Sequence, residues 1–191
     1  GADFRNYTYA KYGKVIMDQP NMFAWQIFDK KVLPMLRDEY RIKQMTKASA
    51  NTLEELVTKL EGVDAKRCLA TLHAYNKAVQ TSVPFNPAIK DGRGTTGLTV
   101  PKTNWANVLD TPPFEAYAIT CGVTFTFGGV KIDPASGQVE DTAGKPMPGL
   151  FAAGELVGGL FYHNYAGGSG LVSGSVFGRL AGNSAGALAR G

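Results

Sequence analysis

The chain has 191 residues, 44% of them hydrophobic and 19% charged, which is typical of a folded globular protein and gives no sign of disorder. The net charge of +4 comes without a run of Lys or Arg, so it favours an acidic small molecule over nucleic acid as a partner. Two cysteines and two histidines are too few for a disulfide framework or for a metal centre of His and Cys ligands. The sequence shows neither a signal peptide nor an apolar run that could span a bilayer, so a cytoplasmic location is expected.

The first half of the chain predicts two helices after an apolar segment. Residues 1–12 show neither a helix cap nor the alternation of a strand, and residues 22–36 are apolar enough to pack as a strand or a short helix. A capping box of the form S/T-x-x-E begins at Thr52 and predicts a helix that ends near residue 60. Apolar residues at helical spacing predict a further helix over residues 65–79.

The second half predicts a long loop, then strands, then a final helix. Residues 81–113 carry Pro and Gly at irregular intervals, as do loops that cover a site or serve a function. Residues 114–127 are rich in aromatic and β-branched residues and predict strands. A short apolar strand is expected over residues 150–153, and a helix rich in small residues from about residue 172 to residue 189.

Residues 148–182 combine the features of a ligand site. The expected strand ends at the carboxylate of Glu155, and a loop with His163 leads to the glycine-rich run 167–170, which opens the last helix. A helix N-terminus directs unsatisfied N–H groups and a positive dipole end towards an anion or an electron-rich atom. A glycine-rich turn that serves only helix packing remains an open alternative. A classical NAD site is not expected, because the preceding strand and the following acidic residue of its fingerprint are missing.

Four motifs follow one another in the second half of the chain. They are TFGGVKID at residues 126–133, PGLFAAGE at 148–155, GGSG at 167–170 and FGRLAG at 177–182. In this order and spacing they resemble the C-terminal part of the FAD-dependent fumarate reductase/succinate dehydrogenase flavoprotein family. Within that family, the loop at residues 161–170 is most similar to tricarballylate dehydrogenase-like members. The resemblance covers essentially the whole chain.

The resemblance implies an α+β fold and FAD as the cofactor. Residues 1–113 would be the C-terminal part of the substrate-capping domain. Residues 114–191 would be the returning part of a Rossmann-like FAD-binding domain, with its C-terminal strands and final helix. Both would be incomplete, because the family's glycine fingerprint for the ADP half of FAD has no counterpart in this sequence. The missing N-terminal half and a second copy of the chain are therefore open as partners.

The resemblance also implies an oxidoreductase that acts on adjacent carbon atoms. The parent protein would dehydrogenate a saturated polycarboxylate of the tricarballylate type by hydride transfer to flavin N5, or reduce the corresponding alkene. It would exchange electrons with a separate acceptor protein. Two alternatives stay open: a flavoenzyme similar to 3-ketosteroid dehydrogenases, and a non-catalytic fragment without bound cofactor.

Residues of two motifs match positions that bind FAD in the family. Gly154 and Glu155 match a Gly-Glu pair whose carboxylate binds a sugar or ribityl hydroxyl of FAD. Backbone N–H groups at the start of the last helix are expected to face the N1/O2 edge of the flavin, where the helix dipole would stabilise the anionic reduced form. The residues assigned to this helix start are Gly168, Ser169, Gly170, Leu171 and Val172.

Three residues are assigned to catalysis on the resemblance. Arg5 lies where fumarate reductases have the arginine that passes a proton to the substrate carbon, a role that its pKa alone would not suggest. Tyr165 replaces the arginine that clamps a substrate carboxylate, and because tyrosine cannot form a bidentate ion pair, fumarate itself is not expected as the substrate. In the similar 3-ketosteroid dehydrogenases, a tyrosine polarises a ketone. His163 is a candidate to supply the replacement hydrogen bond or charge to a carboxylate.

Three further residues are assigned to substrate binding. Thr124 and Phe125 occupy the positions of a histidine pair in fumarate reductases, and Gly128 begins the Gly-Gly pair that follows. The loss of both imidazoles is a second departure from the fumarate reductase pattern.

Overall fold

The structure of the protein is a computed structural model that describes residues 9–123 and 125–191, with the backbone only for residues 9–11. Two of the predicted site residues, Arg5 and Thr124, lie outside the described residues. The chain divides into two units, Gly1–Cys121 and Gly122–Gly191. The predicted boundary after residue 113 precedes the last strand of the first unit, and the assignment of the two halves to a capping domain and a flavin-binding domain stays a prediction.

A three-stranded antiparallel sheet organises the first unit. Its strands are β1 (Phe23–Asp29), β2 (Lys47–Ala50) and β3 (Phe114–Thr120). The order is β1-β3-β2, so β3 lies at the centre, and both Asp29 and Ala50 pair with its first residue, Phe114. The aromatic and β-branched residues of β1 and β3 favour this conformation. The strands predicted over residues 114–127 are confirmed only as far as Thr120, where β3 ends.

Three helices accompany the sheet: α1 (Tyr9–Met17), α2 (Leu53–Thr58) and α3 (Ala65–Ala78). The predicted capping box is confirmed, since the hydroxyl of Thr52 accepts a hydrogen bond from the N–H of Glu55 at 3.1 Å. Helix α3 is also confirmed, and the carboxylate of Asp64 caps it. Helix α1 is not predicted by the sequence, because Gly13 in its middle lowers the helix propensity of the segment.

The hydrophobic core of the first unit lies where α2 packs on the sheet. Its buried residues come from β2, α2 with the turn that follows it, and β3: Ala50, Leu53, Leu56, Leu60, Phe114 and Ala116. Trp25 and Ile27 of β1 and Leu69 and Leu72 of α3 pack against this cluster. Each large apolar side chain that is buried contributes about 1.5–3 kcal/mol. Packing of this kind, more than intrinsic propensity, stabilises a helix as short as α2.

Residues 81–113 form the predicted long loop, all of which is described and lies outside the helices and strands. The carboxylate of Asp91 organises it by accepting hydrogen bonds from the backbone N–H groups of Asn86, Arg93 and Trp105. Burial raises the pKa of Asp91, but these backbone hydrogen bonds outweigh it, and the net effect is a lowered pKa. The loop is therefore held in shape by its own polar contacts.

A buried carboxylate ties the end of this loop to β1. The side chain of Asp29 is fully buried, and its Oδ2 lies 2.9 Å from Nζ of Lys31. The same oxygen accepts hydrogen bonds of 3.3 Å from the backbone N–H groups of Asp110 and Thr111. Burial lowers the pKa of Lys31, but hydrogen bonds and charge interactions with Asp110 and Asp29 outweigh it and raise the pKa. Asp29 thus fixes the position at which the chain enters β3.

The second unit consists of an antiparallel hairpin and one long helix. Strand β4 (Gln138–Glu140) pairs with strand β5 (Pro146–Phe151), and helix α4 (Ser169–Leu188) follows. The strand predicted over residues 150–153 is thus confirmed in part, because β5 begins earlier and ends at Phe151. The buried residues of the unit are Ile132, Val139, Ala152 and Val157, and Val130 and Phe177 pack against them.

Helix α4 confirms the predicted final helix, with its start at Ser169. The small residues of α4 allow a close approach to the segment before β4. If Gly137 in that segment had a Cβ atom, it would lie only 2.8 Å from the Cβ of Ala181 in the helix. The described residues combine helices with antiparallel sheets, as the predicted α+β fold requires. None of the described helices has the length and apolar character needed to cross a membrane.

Replacing Asp29 with alanine is expected to lower the free energy of unfolding by about 3 kcal/mol, because Lys31 and two backbone N–H groups would lose a buried acceptor. Urea denaturation measures the change as a shift of the midpoint. Asp38→Ala is the matched control, since the side chain of Asp38 is 97% exposed in its ion pair with Arg41 and its loss should leave the midpoint unchanged. Equal midpoints for the wild type and Asp29→Ala would show that the buried carboxylate does not hold the loop.

Candidate functional site

Two glycine-containing segments of the second unit run side by side. The N–H of Val130 donates to the carbonyl of Leu156 at 2.9 Å, and the N–H of Gly158 donates to the carbonyl of Val130 at 3.0 Å. A Cβ on Gly129 would lie 2.2 Å from the carbonyl oxygen of Leu156, and a Cβ on Gly158 would lie 2.5 Å from the nitrogen of Gly129. Only glycine permits this separation of the two backbones.

The predicted Gly-Glu pair lies on the second of these segments. Gly154 has a φ of 77° and begins a 3₁₀ turn over Gly154–Leu156. This turn packs against α4, because a Cβ on Gly174 would lie 3.8 Å from the Cα of Gly154. The exposed carboxylate of Glu155 accepts hydrogen bonds from the backbone N–H of Thr126 at 3.0 Å and from its hydroxyl at 3.3 Å. The carboxylate is therefore held near the segment that leads to the paired glycines.

The start of α4 presents backbone N–H groups. Its N-cap is Gly168, which has a φ of 82° and has no side chain with which to cap the helix. The N–H of Ser169 donates to the carbonyl of Ala166, and that of Val172 donates to the carbonyl of Gly168. Helix geometry leaves the first-turn N–H groups of Gly170 and Leu171 without an acceptor in the helix, so these two are the candidate donors to a ligand. The side chain of Leu171 is 82% exposed.

Four half-buried aromatic rings contact one another beside this helix start: Phe125, Phe127, Phe161 and Tyr165. The rings of Phe125 and Tyr165 are stacked, with centroids 4.7 Å apart and an interplanar angle of 23°. Phe125 also lies on the first turn of α4, since a Cβ on Gly170 would be 3.1 Å from its Cε2. We call these four rings the aromatic cluster.

The structure brings together several of the predicted site residues. Phe125 and Tyr165 are in direct contact, and Gly128 lies on the segment that carries Phe125 and Thr126. His163 is exposed with a φ of 63°, and its ring contacts that of Tyr162 at 4.3 Å between centroids. A positive φ is uncommon for a residue other than glycine, although histidine, like asparagine and aspartate, adopts it more often than the other residues do. The catalytic and binding roles of all these residues stay predictions.

Phe127 and Phe161 are not among the residues that the sequence predicts for the site, although they complete the aromatic cluster. The signal for Phe127 is its spacing of two residues from Phe125, which would place both side chains on one face of an extended segment. Phe161 has a weaker signal, because it precedes a run of polar and aromatic residues without regular spacing. In the described residues, no group of three His, Cys, Asp or Glu side chains could hold a metal ion.

A glycine-built turn, an open helix start and a nearby carboxylate together suit the sugar, ribityl and ring groups of a nucleotide cofactor. Residues 11–172 match the family described as FAD binding domain. The chain belongs to this family. The predicted cofactor, FAD, is therefore confirmed. The residues present fit it, because Gly168 adds no side chain at the helix N-terminus and, chain neighbours aside, no described atom lies within 4 Å of a Cβ on Gly167 or Gly168.

Relatives support the predicted fumarate reductase flavoprotein family. The chain is 37% identical over 186 residues to an NADH:fumarate oxidoreductase from Klebsiella pneumoniae (strain 342). This match covers 96% of this chain and 18% of that protein. It is 34% identical over 187 residues to 4-oxocyclohex-2-ene-1-carboxylate 5-dehydrogenase from Sinomonas cyclohexanicum. This second match covers 93% of this chain and 30% of that protein. Among solved structures, the open conformation of a flavocytochrome c3 fumarate reductase matches with a TM-score of 0.68 and 30% identity, over 95% of this chain and 30% of that one. The chain thus spans less than a third of each of these proteins.

Gly129→Ala is expected to lower the free energy of unfolding by about 2 kcal/mol or more, because the new methyl group would overlap the carbonyl oxygen of Leu156. Gly128→Ala is the matched control one residue away, where no described atom lies within 4 Å of the added Cβ. Thermal unfolding followed by circular dichroism measures both variants. Equal melting temperatures for the two variants would contradict the close approach of the two segments.

Proposed function

We propose that the protein is an FAD-dependent oxidoreductase that interconverts a CH–CH single bond and the corresponding alkene. The observation that carries this proposal is the meeting of the Gly154–Leu156 turn with the first turns of α4, beside the aromatic cluster. When bound, FAD supplies the acceptor or donor of the hydride. The relatives named for fumarate reduction support the same class of reaction.

The proposed cofactor contacts use two kinds of group. The backbone N–H groups of Gly170 and Leu171 would donate hydrogen bonds to an electron-rich edge of the flavin, where the positive end of the helix dipole favours negative charge. The carboxylate of Glu155 would accept a hydrogen bond from a sugar or ribityl hydroxyl. A carboxylate has about four lone-pair sites, so the two hydrogen bonds from Thr126 leave it able to do so.

Two classes of substrate are proposed. The first is a saturated polycarboxylate of the tricarballylate type, which rests on the resemblance of the loop at residues 161–170. In that case His163 would bind a carboxylate and Arg5 would carry the proton that leaves the second carbon. The second is a cyclic ketone, polarised by the hydroxyl of Tyr165. The stacking of Tyr165 on Phe125 and the name of the relative from Sinomonas cyclohexanicum support this second class.

The remaining proposals concern partners and location. A separate protein is the proposed electron acceptor, and a polypeptide that carries the ADP half of the FAD site is a proposed partner. A cytoplasmic location and the absence of nucleic acid from the function stay predictions.

Glu155→Gln is expected to weaken FAD binding about tenfold or more, because a hydrogen bond to a charged acceptor contributes more than one to an amide. The amide oxygen can still accept from Thr126, so the fold should be unchanged. Flavin absorbance after dialysis of the protein against graded FAD measures the affinity, with intact mass recorded on the same sample. Glu39→Gln, an exposed glutamate of the first unit, is the control. Wild-type protein with no flavin absorbance above that of the dialysis buffer would favour the alternative of a non-catalytic fragment.

Tyr165→Phe is expected to lower kcat/KM for a cyclic ketone by about a hundredfold, since it removes the hydroxyl that would polarise the carbonyl and leaves the stacked ring in place. Tricarballylate oxidation should change little, because no bond to a carboxylate requires that hydroxyl. Steady-state assays with an artificial electron acceptor measure both rates. Tyr162→Phe makes the same change at a tyrosine that is 84% exposed and should have no effect. Negligible losses on both substrates would exclude Tyr165 from the site.

A further inference from the structure

We infer that the aromatic cluster is a stacking subsite for a substrate that carries a flat ring, and that Phe161 determines this specificity. The inference rests on the proposed function, since the flat ring is a further group of the substrate, separate from the CH–CH bond on which the oxidoreductase would act.

The geometry of the cluster provides apolar, half-exposed ring surface. The ring centroid of Phe161 lies 5.7 Å from the ring centroid of Phe125, 6.1 Å from that of Phe127 and 5.8 Å from that of Tyr165. All four side chains are half-buried, so each retains surface that a ligand can cover. Aromatic rings attract a further ring in offset-stacked or edge-to-face arrangements at these separations. Apolar ring surface of this kind, next to a cofactor-binding turn, is a common component of a small-molecule site.

The segments that carry the cluster contribute no lysine or arginine of their own to a carboxylate clamp. Residues 125–129 and 160–170 contain neither Lys nor Arg. Lys131, the nearest lysine in sequence, forms an ion pair with Glu140 at 2.7 Å, and that pair raises its pKa. Several carboxylates on one substrate would need several cations, because a buried or half-buried anion without a partner is strongly disfavoured. These segments therefore suit the apolar body of a substrate with few charges.

Phe161 is the residue of the aromatic cluster that is best suited to determine which substrate binds. Phe125 supports the first turn of α4 at Gly170, and Tyr165 carries the proposed reactive hydroxyl. The backbone of Phe127 accepts a hydrogen bond from Gly159, so its segment is part of the glycine scaffold. The side chain of Phe161 contacts the other three rings without these further roles. It can therefore change the shape of the subsite while the cofactor site keeps its supports.

The test compares two non-reactive ligands of equal charge and carbon number. Benzoate and heptanoate each have seven carbons and one carboxylate, but only benzoate has a flat ring. Isothermal titration calorimetry on the FAD-loaded protein measures the dissociation constant of each, together with that of tricarballylate. The wild type is expected to bind benzoate more tightly than heptanoate. Phe161→Leu, which keeps the apolar character but removes the ring, should weaken benzoate binding about three- to tenfold and leave heptanoate unchanged.

Tyr162→Phe is the control variant, because it changes an exposed neighbouring side chain but keeps the ring that packs on His163. It should bind all three ligands like the wild type, and equal melting temperatures establish that the variants are folded. Benzoate binding that is equal in the wild type and in Phe161→Leu would overturn the inference. Tighter binding of tricarballylate that is insensitive to Phe161→Leu would do so as well, while leaving the proposed oxidoreductase intact. If the protein binds no FAD but still prefers benzoate through Phe161, the proposed function fails and the ring subsite stands.

Discussion

The close approach of two backbones at Gly129 and Gly158 is the constraint on which the candidate site depends. Because neither position has a Cβ, the segment with Phe125 and Phe127 can run directly beside the segment that begins with the Gly-Glu pair. This contact brings the segment with two rings of the aromatic cluster beside the turn that carries the carboxylate of Glu155. In the part of the second unit that the structure describes, three backbone hydrogen bonds join the two segments, and a few buried aliphatic residues pack beside them.

Much of the regular structure could be predicted from the sequence because local signals agreed with tertiary packing. The capping box at Thr52 and the helical spacing of α3 are strong local patterns, and both elements occur as expected. Helix α1 could not be predicted in this way, because Gly13 weakens its pattern. The strand expected to run to residue 127 ends at Thr120, because the pairing with β1 ends there and β-propensity alone does not supply a partner.

The backbone geometry of the candidate site could be predicted at its glycines, whereas the packing of its side chains could not. Gly154 and Gly168 both have the positive φ angles that make glycine informative in a sequence. A sequence motif does not show which N–H groups at the helix start are already hydrogen-bonded. In the structure those of Ser169 and Val172 have acceptors, which leaves Gly170 and Leu171 as the candidate donors. Phe161 reaches the other rings through the path of an irregular loop, and such a path has no periodic signature.

The central position of β3 affects how the first unit folds while the chain is being synthesised. The two outer strands are synthesised first and have no partner in the sheet until residues 114–120 leave the ribosome. Both of their edges are exposed during that interval, together with the apolar residues that later form the core, and unpaired edges are templates for aggregation. Residues 51–113, which contain α2, α3 and the long loop, separate β2 from β3, so this whole span must fold back before the sheet can form and cover the edges.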